Sequence, residues 1–156
     1  MTRFDIFKEI TFGGLTKEQL LKKLSDSGIQ FNKYAKMLFE YPQFSPPLET
    51  EKVKLVKATL FDLGLKDTCS FEEFSNQITN LDLKLCPLFL AAFLRLEYLD
   101  QPAGPYITIA SQKPEMKKDC PNGFYIRNFE NTLWLRGYNA DGFSDWPGQN
   151  EFIFIR

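Results

Sequence analysis

The chain reads as an α+β fold, with N-terminal helices packed on a mainly antiparallel C-terminal β-sheet. Three observations predict it. Two capping boxes, Thr16–Gln19 and Ser70–Glu73, each lead into apolar residues at helical spacing. After residue 95 the pattern changes to short β-rich runs separated by turn residues, beginning with the cluster Asp100-Gln-Pro-Ala-Gly-Pro105. Hydrophobic residues make up 44% of the chain and charged residues 25%, as in a globule with a core of its own. A length of 156 residues suits one domain, residues 1–156, helix-rich over 1–94 and β-rich over 95–156.

The elements follow in order. Thr16 caps a first helix whose stripe is Leu20, Leu21 and Leu24, with Gly28 as its stop. Phe31, Tyr34, Ala35, Leu38 and Phe39 fit the apolar face of a second helix, ended by Pro42, Pro46 and Pro47. Residues 53–61 put Val53 and Leu55 on one side and Val56, Ala58 and Leu60 on the other. That suits a strand buried on both faces, with a helix as the alternative. Ser70 caps a helix lined by Phe71, Phe74, Ile78 and Leu81. Pro87 opens a short apolar helix over 87–94, and residues 95–99 alternate as a strand. Residues 106–110 are β-rich, and 113–122 form a polar, mobile loop. Residues 124–128 and 133–138 form a hairpin, with 129–132 as its turn. Residues 151–156 form a last strand, with Phe152 and Phe154 on one face.

Composition excludes several chemistries. There is no histidine, which removes Ser-His and Cys-His nucleophile pairs and imidazole metal ligands. The net charge is −1, and residues 1–78 carry 11 basic and 11 acidic groups against 8 and 9 in 79–156. Neither half is a polycation, so binding to nucleic acid or anionic lipid is disfavoured. Cys69, Cys86 and Cys120 form no CxxC pair and read as reduced thiols in a cytoplasmic protein. The N-terminal residues lack the apolar core of a signal peptide, and the longest apolar run, 85–94, is too short to span a bilayer. No metal or cofactor site is expected.

Several motifs carry candidate chemistry. Gly13-Gly14-Leu-Thr16-Lys17 lacks the spacing of a phosphate loop and reads as a turn and cap. The Asn139–Asp145 stretch lacks the regular oxygen ligands of a calcium loop. Cys86 and Cys120 precede prolines and read as core residues rather than nucleophiles. The richest set joins Arg95, Glu97, Tyr98 and Asp100 to Arg127, Trp134, Arg136, Tyr138, Asp141, Asp145 and Trp146. In the hairpin, Trp134, Arg136 and Tyr138 share one face, while Leu133, Leu135 and Gly137 share the other. The Leu face suits a core. The Trp/Arg/Tyr face, joined by Arg127 from the adjacent strand, offers guanidinium forks and flat stacking surfaces. Alternatively, that face packs on the N-terminal helices with its arginines paired to carboxylates.

The segments Gly28-Ile-Gln-Phe-Asn32, Tyr34-Ala35, Asp62-Leu-Gly-Leu65, Leu85-Cys-Pro-Leu88, Arg95-Leu-Glu-Tyr98, Asp100-Gln-Pro102 and Leu133-Trp-Leu-Arg-Gly-Tyr138 resemble a group of small uncharacterised bacterial proteins, along most of the chain. Some of that group are loosely labelled helicases, a label that a chain without a Walker A motif or a basic excess does not support. The resemblance implies a bacterial, cytoplasmic protein and carries no catalytic residue. The expected function is a non-enzymatic module that binds a protein partner or a small polar ligand through Arg127, Trp134, Arg136, Tyr138, Asp141, Asp145 and Trp146. The alternative is a histidine-free enzyme acting on a small polar substrate through Asp141, Asp145 or Tyr138.

Overall fold

The computed structural model describes residues 4–66, 69–139 and 150–156. The elements run β1 (Lys8–Phe12), α1 (Lys17–Asp26), β2 (Gln30–Phe31), α2 (Lys33–Leu38), β3 (Glu51–Thr59), α3 (Phe71–Asn80), α4 (Leu90–Glu97), β4 (Ile107–Ile109), β5 (Gly123–Phe129), β6 (Thr132–Tyr138) and β7 (Glu151–Ile155). The class is α+β. All seven strands join one sheet in the order β1-β3-β7-β4-β5-β6-β2.

The helix starts lie where the capping boxes place them. The Thr16 hydroxyl accepts from the Gln19 amide at 3.1 Å, and the Gln19 side chain accepts from the Thr16 amide at 2.9 Å. Ser70 and Glu73 repeat the exchange at 3.1 and 3.2 Å. Gly28 ends α1 at φ +79°, a conformation that only glycine adopts freely. Among the described residues no helix is long and apolar enough to cross a membrane.

Strand β3 is buried on both faces, as its pattern requires. Val53 and Leu55 enter a core cluster shared with α1, α2 and α4, whereas Val56 and Ala58 enter a second one shared with α3. β7 pairs with it in register, Val56 opposite Phe154 and Ala58 opposite Phe152. Phe74 of α3 seals that side, its ring 5.5 Å from Phe152 and 5.6 Å from Phe154. Burying such a ring contributes about 1.5–3 kcal/mol. The sheet is therefore a middle layer, with α1, α2 and α4 on one side and α3 on the other.

Three expectations need correction. The sheet is mixed rather than mainly antiparallel, because β4 pairs with β7, and β2 with β6, in parallel. It is also not confined to the C-terminal part, since β1, β2 and β3 come from the first 59 residues. The physical reason is the two-sided apolar pattern of β3 and β7, which demands neighbours and cover on both faces. Residues 95–97 continue α4 and are not a strand. In that helix Leu90, Ala91, Ala92, Phe93, Leu94 and Arg95 are all buried, so it presents no polar stripe to mark its true extent. Segment 113–122 forms no helix or strand but ends with Cys120 and Pro121 buried.

The β5–β6 hairpin closes through Glu130 and Asn131, both at positive φ (52° and 64°), the two-residue turn whose twist matches its strands. α2 locks onto this hairpin through one side chain. Asn32 Oδ1 caps α2 by accepting from Ala35 N and also accepts from Gly137 N, while its Nδ2 donates to Gly137 O, each at 2.9 Å. The approach is so close that a Cβ on Gly137 would lie 2.7 Å from the Tyr34 carbonyl carbon. Asn32→Ala removes both the cap and the clasp and should cost about 2–3 kcal/mol. Thr16→Ala removes a cap alone and should cost about 1 kcal/mol. Urea unfolding of the two variants at unchanged slope checks that order, and equal losses would refute the clasp.

Candidate functional site

The two faces of β6 lie as its alternation predicts. Leu133 and Leu135 join the first core cluster and Gly137 meets α2, so Trp134, Arg136 and Tyr138 point to the other side of the sheet. Cross-strand pairing sets Arg127 beside Trp134, Tyr125 beside Arg136 and Gly123 beside Tyr138. Tyr125 extends the face towards β4, its ring 4.9 Å from Tyr106 and 6.5 Å from Tyr138. The expected face therefore exists, with Arg127, Trp134, Arg136 and Tyr138 together on it and half-buried. Asp141, Asp145 and Trp146 lie outside the described residues.

The two arginines have different surroundings. The Arg127 guanidinium sits 4.7 Å above the Phe129 ring, and its Nε donates to Gly104 O at 3.1 Å. The Arg136 guanidinium lies 4.0 Å from the centre of the Trp134 indole. Stacking of this kind contributes about 0.5–1 kcal/mol. Among the described residues Arg136 forms no salt bridge. Its Nε and the Trp134 indole N–H are both shut off from solvent, without an acceptor among the described residues. Strands β4, β5 and β6 contain two arginines and no aspartate or glutamate, so the strands themselves supply no counter-charge. Among the described residues, α1, α2 and α4 pack on the other side of the sheet, and neither arginine of this face is paired to a carboxylate.

Sequence reasoning missed Tyr125 and Tyr106 as members of the face. The signal was present for Tyr125, which shares alternation with Arg127, but Tyr106 reaches the face only through sheet pairing. Beside them, the Thr108 and Ser111 hydroxyls are buried and lack hydrogen-bond partners among the described residues.

The rest of the predicted set disperses. Arg95 is fully buried on the opposite side of the sheet. It donates to Gln101 Oε1 at 2.7 Å, Tyr98 O at 2.5 Å and Trp134 O at 3.3 Å. Burial pushes its pKa down to about 10, still far enough above neutrality to keep the charge. Tyr98 packs edge-on to Phe7 beneath the Lys8 ammonium. Cys69, Cys86 and Cys120 are buried and form no disulfide among the described residues, and burial pushes the Cys86 thiol far up, which suits packing rather than attack. Gly13 lies so close to the backbone of Glu49 that any Cβ would collide with it, so the glycine pair serves a turn. Among the described residues no cluster of three His, Cys, Asp or Glu could hold a metal ion.

No protein-family model, curated protein or solved structure matches the chain.

Two measurements check this assignment. Arg95→Ala leaves buried acceptors unmet and should cost about 3 kcal/mol or more, whereas Arg136→Ala should cost about 1 kcal/mol or less. A loss of several kcal/mol from Arg136→Ala would make Arg136 a structural member instead. Burial also raises the Tyr138 pKa well above its ordinary value of 10. A phenol held neutral in the fold but free to ionise in the open chain makes stability fall as pH rises above 10. Tyr138→Phe should flatten that decline in urea titrations between about pH 9 and 11, and an unchanged slope would contradict the burial.

Proposed function

We propose that the protein is a non-enzymatic binding module, and that the β5–β6 face is its recognition surface for a small polar ligand or a protein partner. One observation carries the reading. The Arg136 guanidinium lies over the Trp134 ring with no carboxylate partner among the described residues, on strands that contain no acidic residue. Trp and Arg side chains dominate the energetics of recognition sites because they combine large flat areas with directed donors. A guanidinium held in place by an aromatic ring has already lost much of its rotamer freedom, so less entropy opposes binding. The face is built on paired strands backed by the core, which suits a site with fixed geometry.

The enzyme reading has less to support it. Tyr138 keeps its proton far beyond neutral pH and is a poor base. Three buried cysteines that form no disulfide among the described residues fit the reducing bacterial cytoplasm that the sequence resemblance suggests.

Native mass spectrometry tests the reading. Wild-type protein incubated with a bacterial lysate should retain a discrete adduct, and Arg136→Ala should lose it while keeping its fold. An adduct kept equally by both would sink the face as the site, and absence of any adduct on the wild type would count against a binding module.

A further inference from the structure

We infer that the ligand of the β5–β6 face is a small organic carboxylate, taken up by the Arg136 guanidinium and the Trp134 indole N–H; this rests on the binding-face reading above. Arg136 Nε and Trp134 Nε1 are closed to water, and neither has an acceptor among the described residues. They are held together, since the guanidinium lies 4.0 Å from the indole centre. Buried polar groups in native proteins are almost always paired, so two unmet donors on neighbouring side chains mark a place for an acceptor that the described residues do not provide. A carboxylate brings two acceptor oxygens and no donor, and it matches the fork of a guanidinium. A cation would be repelled here, and a neutral amide would bring a donor group of its own.

The charge argues for a single anionic group. Arg127 is already engaged, with its Nε on Gly104 O and its guanidinium over Phe129. That leaves one uncommitted guanidinium, which balances a carboxylate better than a doubly charged phosphate.

The shape argues for a small molecule. Tyr125, Arg127, Trp134 and Arg136 are all half-buried, so they are recessed for a flat protein surface. Because both donor atoms are shut off from solvent, an oxygen reaches them only as the indole and guanidinium shift, so their N–H resonances report binding directly.

The test is a nitrogen–proton NMR titration of the full chain with sodium benzoate and with its neutral isostere benzamide, the two indole signals being assigned through Trp146→Phe. Benzoate should move the Trp134 indole N–H and the Arg136 Nε–H downfield and saturably, with benzamide at least about tenfold weaker. Arg136→Gln should weaken benzoate by at least about tenfold, and Arg127→Gln by less than about threefold. No saturable movement, equal movement by benzamide, or tighter binding of inorganic phosphate than of benzoate would overturn the carboxylate assignment. Should benzoate fail while the lysate adduct still depends on Arg136, the binding face stands and only the carboxylate falls. Should both fail, the face itself is wrong.

Discussion

A buried guanidinium that has no carboxylate partner among the described residues holds α4 and the hairpin in register. Arg95 is fully enclosed and spends its donors on neutral oxygens of Gln101, Tyr98 and Trp134. An enclosed charge is costly unless its hydrogen bonds are met, and three acceptors from three places meet most of them. Gln101 passes the constraint on, donating to Ile126 O of β5 and accepting through its own carbonyl from Asn128. Arg95 and Gln101 together thus tie the end of α4, the following loop and both strands of the hairpin into a single arrangement. The Asn32–Gly137 clasp fixes the same hairpin further along.

That fixed backbone separates two arginines with opposite fates. Arg95 lies on the apolar side, and both of its terminal nitrogens donate to oxygens of the chain. Arg136 lies on the other side, over the Trp134 ring, and its Nε has no acceptor among the described residues. Trp134 takes part in both environments, giving its carbonyl to Arg95 and its indole to Arg136. A binding surface on a hairpin ordinarily suffers from the flexibility of hairpins. Here the strand carrying the surface is anchored from behind at the same residue that the surface uses.

Much of this was legible in local sequence. Capping boxes at Thr16 and Ser70, the two-sided run from Val53 to Ala58, and the Trp134/Arg136/Tyr138 alternation each report a structure only a few residues wide. β1 was hidden although Ile10 and Phe12 alternate with Glu9 and Thr11, because five residues with two charges make a weak period. Arg95 to Leu99 misled because a helix buried on every side shows no stripe, and a charged residue next to leucine then looks like strand alternation. The parallel pairings are a different kind of omission. Alternation states which side a residue faces, but it is silent on which strand lies beside it and in which direction. The unmet donors of Arg136 and Trp134 were illegible for the same reason, since they depend on what other strands fail to bring near.

The position of β7 links the architecture to the order in which the chain is made. It is the last of the strands to be synthesised, yet it lies between β3 and β4, and Leu55 waits for Ile155 to arrive. Contacts this distant in sequence close slowly. Until residues 151–155 leave the ribosome, β3 and β4 each keep an open backbone edge flanked by apolar side chains, and such edges are templates for pairing with the wrong chain. Any pause in translation between β6 and β7 therefore lengthens the time that two unfinished half-sheets stay exposed to each other's counterparts in neighbouring nascent chains.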